Sequence, residues 1–133
     1  MTISQSIPTI IRLHRTSCTL ELEFNDRTRY LLPCEFLRVY SPSAEVQGHG
    51  NEQRVLLIGK ESVTIKNIES VGNYAIRLYF SDGHSTGLYS WKYLYELGEK
   101  QEQLWQDYLN RLQQVGYTRR ESNTKTITDR QEK

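Results

Sequence analysis

The amino-acid sequence predicts a single α+β domain with a largely antiparallel sheet. Three apolar runs of period two are joined by tight turns, which is the pattern of half-buried strands in a meander. An amphipathic helical stripe follows, and we expect two C-terminal helices to pack on one face of the sheet. The chain of 133 residues, of which 37% are hydrophobic, is long enough to bury its own core.

The N-terminal part is predicted to be a β-meander. The apolar run at residues 10–13 can begin a strand, and residues 20–24 alternate leucine or phenylalanine with glutamate. Asn25-Asp26 is a turn signal, and residues 28–32 return as the next strand.

A short helix and a long loop are predicted after the meander. Pro33 fits the first turn of the helix, where its missing N–H costs nothing. Residues 36–40 place their apolar side chains on one face, and Pro42 ends the helix. Residues 41–53 lack apolar periodicity and contain Gly48-His49-Gly50, so they form a loop long enough to suggest a purpose.

The second half of the sheet is predicted from four segments. Residues 55–58 form either a strand or a cover for the sheet. The other three segments, at residues 63–66, 74–80 and 86–88, are predicted strands. Gly72-Asn73 and Asp82-Gly83 are the turn signals between the strands.

Two helices are predicted at the C-terminal side. Ser90 is a plausible N-cap for a helix over residues 90–97, and Gly98 is a suitable stop. Residues 100–115 form an amphipathic helix that ends at Gly116. We expect the domain to span residues 1–117 and the polar residues 118–133, the tail, to be disordered.

Charge and cysteine content restrict the class of protein. The net charge is +1, and residues 1–117 hold 12 Lys and Arg against 13 Asp and Glu, so a dedicated nucleic-acid binder is not indicated. No leader pattern and no apolar stretch of membrane-spanning length is found, so we expect a cytoplasmic protein with no membrane partner. Cys18 and Cys34 are then interpreted as free thiols.

Five segments together carry a resemblance to a known family over roughly residues 8–98. The sequence resembles the small bacterial proteins homologous to the N-terminal domain of gamma-butyrobetaine hydroxylase, a domain of unknown function when it stands alone. The matching residues are Phe36-Leu37-Arg38, Ser41-Pro42-Ser43-Ala44-Glu45-Val46-Gln47-Gly48-His49-Gly50, Val71-Gly72-Asn73-Tyr74-Ala75, Asp82-Gly83-His84 and Gly87-Leu88-Tyr89-Ser90-Trp91.

The resemblance implies a zinc site that this sequence has not kept. In the hydroxylases the domain precedes an iron- and 2-oxoglutarate-dependent catalytic domain, and it binds a structural zinc through three cysteines and one histidine. The resemblance places the cysteines on Ser41, Ser43 and Val46 and the histidine on His84. Only His84 is a zinc ligand, so we expect no cofactor and no metal.

Three classes of function follow from these observations. We favour a non-catalytic protein-interaction or accessory module with a protein partner, because a domain that resembles this family stands alone here with no catalytic constellation. A link to iron–sulfur or other metalloprotein assembly is what the resemblance implies, since related domains are attached to nucleotide-dependent iron–sulfur cluster carriers. The alternative is a metal-dependent small-molecule binder or enzyme that uses His49 and His84, with Glu45 or Asp82 as a third ligand. Nucleic-acid binding through the basic residues of the tail is a weaker third class.

The candidate residues for binding a partner or ligand come from the two Gly-, Ser- and His-containing segments and their neighbours. They are Arg38, Ser41, Ser43, Glu45, Gln47, His49, Asp82, His84 and Trp91. Arg38 could bind an anion or pair with a nearby acid. Trp91 could form an exposed patch, although aromatics at helical spacing are more often core. We expect His84 to hold residues 41–50 against the turn at Asp82 by hydrogen bonds in place of a metal.

Overall fold

The computed structural model describes residues 6–43 and 54–120, and its secondary structure confirms the predicted α+β class. The elements, in chain order, are β1 Pro8–His14, β2 Thr19–Phe24, β3 Arg29–Pro33, α1 Cys34–Val39, β4 Ile65–Val71, β5 Ala75–Phe80, β6 Leu88–Ser90, α2 Trp91–Glu99 and α3 Gln101–Gln114.

The strands form two three-stranded antiparallel sheets, whereas the sequence predicts one largely antiparallel sheet made of two successive groups of strands on either side of the short helix and long loop. The first has the order β1-β2-β3 and the second β4-β5-β6, so each is a meander of neighbours along the chain. In the first sheet Leu22 lies opposite Ile11 and Tyr30. In the second sheet Ile76 lies opposite Ser70 and Tyr89. Helix α1 follows directly on the first sheet and therefore connects it to the rest of the domain.

The main core lies between the two sheets, α1 and α2. The period-two residues predicted for β2 and β5 supply much of it, as expected for strands with one buried face. Its fully buried large side chains are Leu20, Leu22, Phe24, Leu32, Phe36, Leu37, Ile65, Ile76, Leu78, Tyr89, Leu94 and Leu97. A smaller cluster of Val39, Tyr108 and Leu112 lies beside it, between α1 and α3.

Glu21 departs from the alternation predicted for β2. It lies between two core residues, yet only 6% of it is exposed. His14 bonds its carboxylate at 2.7 Å, and Arg12 and Arg29 lie within 3.5 Å of the same carboxylate. The hydrogen bond with His14 is the largest of the interactions that lower the pKa of Glu21. Cross-strand partners thus cover the charge on the outer face of the sheet.

Two residues interpreted as helix signals have other roles. Pro33 ends β3 and is the N-cap of α1, because the N–H of Cys34 still donates to Cys18 across the sheet, at 2.9 Å. Gly98 lies inside α2 instead of ending it. A Cβ at Gly98 would overlap the ring of Tyr30, so glycine is needed there for close packing between α2 and β3.

Several predicted segments differ in extent or partner, among them the strand predicted at residues 63–66, which is observed at Ile65–Val71. Residues 54–58 form no strand, and Leu56 and Leu57 pack on the small cluster beside α3, where the hydroxyl of Tyr108 donates to the Leu57 carbonyl at 2.6 Å. The return strand starts at Leu88 and not at residue 86, because residues 84–87 bend toward the segment that follows α1.

The C-terminal helices follow the predicted bounds closely, but α3 packs beside α1 and residues 56–57 and not on a sheet face together with α2. Ser90 is the N-cap of α2, and its hydroxyl accepts a hydrogen bond from the N–H of Tyr93 at 3.1 Å. Helix α3 ends before Gly116, where the N–H of Tyr117 donates to Leu112 at 3.0 Å, as in a Schellman motif. Among the described residues, no helix combines the length and apolar character that crossing a membrane requires.

The first residues of the predicted tail lie on the domain. The guanidinium of Arg119 makes two hydrogen bonds to the carboxylate of Glu35 and lies 5.3 Å from the ring centroid of Trp105. The N–H of Arg120 donates to Glu61 at 2.7 Å. Residues 121–133 lie outside the described part of the chain, so the predicted disorder there stays a prediction.

Candidate functional site

The site begins with a buried hydrogen-bonded joint between two distant segments, which we call the His84 joint and define as Ser41, Ser43 and His84. The Nε2 atom of His84 lies 2.9 Å from the hydroxyl of Ser41 and 3.4 Å from that of Ser43. The exposed fraction is 0% for Ser41, 6% for Ser43 and 9% for His84. The expected contact between His84 and the segment after α1 is therefore present for these two serines.

Local geometry on both sides makes the His84 joint possible. Helix α1 stops at Val39, and in the irregular stretch that follows the Ser41 hydroxyl accepts from the N–H of Ser43 at 3.3 Å. On the other side a tight turn closes with the Phe80 N–H bonded to the His84 carbonyl at 3.0 Å. Gly87 faces the Ser41 hydroxyl so closely that a Cβ would overlap it. The bend at residues 84–87 thus needs this glycine.

Asp82 is the centre of a second, charged cluster next to the His84 joint. Its Oδ2 accepts from Arg38 Nε at 2.9 Å and from Lys60 Nζ at 2.7 Å, while its Oδ1 accepts from the backbone N–H of His84 at 3.2 Å. The carboxylate therefore ties together α1, the segment before β4 and the turn after β5. The Nη1 atom of Arg38 is buried and makes no hydrogen bond to any residue in the described part of the chain.

The electrostatics of this cluster keep Asp82 ionised. Burial opposes ionisation, but the hydrogen bonds from Lys60, from the backbone of His84 and from Arg38 outweigh it and lower the pKa of Asp82 to about 2. A carboxyl group with so low a pKa is a poor general acid at neutral pH. The cluster is thus suited to holding the fold.

A third set of contacts fixes the chain where it leaves α1. Arg54 donates to the Ser41 carbonyl at 2.8 Å and to the Tyr93 hydroxyl at 3.1 Å, and its guanidinium lies 4.9 Å from the ring centroid of Tyr40. The Tyr93 hydroxyl in turn donates to the Tyr40 carbonyl. Tyr89, whose pKa is raised by burial, donates to the Leu37 carbonyl at 2.6 Å. Backbone groups that the helix end leaves open are thereby satisfied.

The structure brings together some of the predicted site residues and leaves others apart. Arg38, Ser41, Ser43, Asp82 and His84 form one contiguous polar region, and the sequence placed them within reach only through the resemblance. The remaining loop candidates are outside the described residues; they are Glu45, Gln47 and His49.

Trp91 lies at the start of α2, packs partly buried against the core and donates from Nε1 to the Asn73 carbonyl at 2.7 Å. It is one of the predicted candidates, and it makes none of the hydrogen bonds of the polar region around His84.

Sequence reasoning missed Lys60, Arg54 and Tyr93. Each reaches the site through a contact between residues at least 13 positions apart in the chain. The only available signal was indirect, since Asp82 and the carbonyls after α1 had to find donors once they were buried. The packing of the two sheets determines which cationic side chains supply these hydrogen-bond donors.

The side chains present do not fit a structural zinc. Serine hydroxyls are poor zinc ligands, and His84 Nε2 is directed at two of them. In residues 6–43 and 54–120 no group of three or more His, Cys, Asp or Glu side chains is arranged to hold a metal. The Ser41 and His84 pair is also too deeply buried, with 0% and 9% exposed, to present a nucleophile to a substrate.

Comparison with known proteins supports the resemblance. A family model described as gamma-butyrobetaine hydroxylase-like, N-terminal, matches residues 11–95. No protein with a curated description matches the chain significantly.

Three solved structures are similar to this chain. Two are NMR solution structures, one with 49% identity and a TM-score of 0.76 that covers 93% of this chain and 99% of the other. The second has 50% identity and a TM-score of 0.75 and covers 90% of each chain.

The third is a crystal structure at 1.93 Å resolution from Acidithiobacillus ferrooxidans, of a protein of unknown function in the DUF971 family. It has 36% identity and a TM-score of 0.58, and it covers 68% of this chain and 91% of that one. The chain therefore belongs to the family of gamma-butyrobetaine hydroxylase-like N-terminal domains.

Proposed function

We propose that this chain is a non-catalytic protein-interaction module, an accessory domain that serves metalloprotein assembly. The observation that carries the proposal is the edge strand β1. It pairs with β2 on one side, and none of its seven residues is buried. Its side chains include the exposed Ile11, and Ile7 just before the strand is 46% exposed.

Among residues 6–43 and 54–120 no second strand pairs with β1, and an edge strand of this kind is a docking surface for an extended segment of another protein. The unpaired N–H and C=O groups of an edge strand can accept one more strand, and the side chains beside it select the sequence. Ile11 offers an apolar contact, and Arg12, with 59% of its side chain exposed, offers a positive charge. The matching partner segment is extended and alternates apolar with acidic residues.

The polar region around His84 supports the non-catalytic part of the proposal. His84 is directed at Ser41 and Ser43, while Asp82 is held by Arg38 and Lys60. These groups are used to hold segments of the domain together. Nothing in the described residues favours the alternative of a metal-dependent binder, and His49 lies outside them. The setting of metallocluster assembly comes from the family resemblance, in which related domains are attached to iron–sulfur cluster carriers.

Affinity purification with edge variants tests the proposal. The tagged full-length chain is recovered from its native cells, together with an Ile11→Lys variant that places a charge on the edge of β1. The matched control is Val115→Lys, which changes a residue that is 63% exposed at the end of α3. We expect one reproducible protein partner with the wild type and the control, and its loss with Ile11→Lys.

Hydrogen exchange on the recovered complex then locates the contact. The proposal predicts added protection of the amides of β1 when the partner is bound, and no added protection in α3. Equal recovery of the partner by Ile11→Lys, or protection confined to other elements, would contradict docking at this edge. Recovery of a stoichiometric metabolite or metal in place of a protein would support the alternative function.

A further inference from the structure

The two cysteines lie opposite each other where β2 begins and β3 ends. Thr19 is paired with Pro33, so the next pair along these antiparallel strands is Cys18 with Cys34. The Cys34 N–H donates to the Cys18 carbonyl at 2.9 Å, which continues the ladder by one hydrogen bond. Cα atoms of residues directly opposite each other on antiparallel strands are about 4.5–5.5 Å apart, inside the Cα range that a disulfide requires.

Both side chains also open onto one cleft. A cavity of about 190 Å³ is lined by Leu13, Arg15, Cys18, Cys34, Thr64 and Ile65. Cys18 is partly exposed, whereas Cys34 is buried with 1% exposed. The cleft therefore gives a small reagent access to Cys18 first, with Cys34 behind it.

We propose that Cys18 and Cys34 form a redox-active dithiol site, which a low-molecular-weight disulfide such as oxidised glutathione converts into an intramolecular disulfide. Nothing in the polar region around His84 or on the β1 edge requires this pair. The site is independent of the proposed interaction function.

The chemistry is a two-step thiol–disulfide exchange. The Cys18 thiolate attacks one sulfur of oxidised glutathione, the glutathione S–S bond breaks, and the released glutathione thiolate takes up a proton. The Cys34 sulfur, after losing its proton, then attacks the Cys18 sulfur of the mixed disulfide and releases the second glutathione. In sum, two protein thiols and one oxidised glutathione give one protein disulfide and two reduced glutathione molecules.

The surroundings of Cys34 suit the second, resolving role. Burial raises the pKa of the Cys34 thiol to about 11, and the nearby Cys18 adds to the effect. A thiol of this kind is a weak primary nucleophile but can react with a neighbouring mixed disulfide. Because the thiolate fraction rises about tenfold for each pH unit below the pKa, ring closure should accelerate about tenfold per unit as the pH is raised.

Thiol counting on the full-length protein tests the proposal. Reduced protein is incubated with oxidised glutathione, quenched with acid, alkylated and analysed by intact mass and peptide mapping. We expect both thiols to be lost together, a mass decrease of two hydrogen atoms, no retained glutathione and a linked peptide pair within one chain. A thiol reductant should restore both thiols.

Two variants separate the steps. Cys34→Ser should accumulate one glutathione on Cys18, and Cys18→Ser should stay unmodified over the same time. The mapping of the wild type does not depend on either variant folding well. A wild type that keeps glutathione on Cys18 while Cys34 remains alkylatable would overturn the proposal. Two unreacted thiols, or a disulfide between chains on a non-reducing gel, would also overturn it.

Discussion

Replacing Asp82 by asparagine should remove much of the stability that the charged cluster gives. Asp82→Asn keeps the size of the side chain but removes the negative charge that accepts from Arg38 at 2.9 Å and from Lys60 at 2.7 Å. Arg38 has only 9% of its side chain exposed, so its charge cannot simply return to water. A buried cation without its anion is costly to the folded state.

The pKa of Asp82 gives the magnitude. The value falls from the ordinary 3.8 to about 2 on folding, and one pKa unit corresponds to about 1.4 kcal/mol. The ionised Asp82 therefore contributes on the order of 2.5 kcal/mol to the free energy of unfolding at neutral pH. Only 22% of the side chain is exposed, so screening by solvent takes away little of this.

The pH dependence has a definite sign. Because the pKa of Asp82 is lower in the folded protein, its contribution is fully present above the unfolded value near 3.8 and is lost as the pH falls toward about 2. The wild type should therefore lose stability across this window more steeply than Asp82→Asn. Above this pH window, the free energy of unfolding of Asp82→Asn should be lower than that of the wild type by an amount that does not change with pH.

Urea unfolding at neutral and acidic pH measures both effects. The matched control is Glu69→Gln, since Glu69 also pairs with an arginine, Arg77, but has 53% of its side chain exposed. An exposed pair of this kind contributes about 0 to 1 kcal/mol. If Asp82→Asn costs no more than Glu69→Gln, or if both proteins lose stability equally between pH 4 and 2, the charged cluster does not hold the fold as described.

Two further substitutions test the joint and the packing. His84→Ala should lower the free energy of unfolding by about 1–3 kcal/mol and speed amide exchange near Ser41, because the serine hydroxyls lose a buried partner. His49→Ala should lower the free energy of unfolding less. Equal small effects of the two substitutions would contradict the role of His84 in the joint. Gly98→Ala should destabilise by about 1–3 kcal/mol through overlap with Tyr30, despite the better helix propensity of alanine. In a Tyr30→Ala background the same change should be neutral or stabilising, and an unchanged cost there would rule out the overlap.

Local patterns were enough to predict most of the secondary structure. The alternation at Leu20, Leu22 and Phe24 and the cap at Ser90 depend on neighbours in the sequence, and the structure has both. Gly98 was misread for a physical reason: a glycine can end a helix or admit a ring, and only the position of Tyr30 decides between them.

The candidate site was only partly accessible from the sequence. The approach of His84 to Ser41 was expected because the family resemblance joins these two segments. The roles of Lys60 and Arg54 were not expected, because each role depends on tertiary packing that brings a long, flexible cationic side chain to a buried acceptor. Glu21 shows the same limit, since its burial comes from cross-strand cations on the outer face of a sheet.

Hydrogen bonds of His84 to Ser41 and Ser43 hold the segment after α1 against the turn after β5, the two segments that a metal joins in the zinc-binding relatives. Elemental analysis of the untagged, full-length protein tests it most directly. The account predicts no stoichiometric zinc in the purified chain. Near-equimolar zinc that disappears in the His84→Ala variant would contradict the account, because His84 would then be a metal ligand instead of a hydrogen-bonding partner.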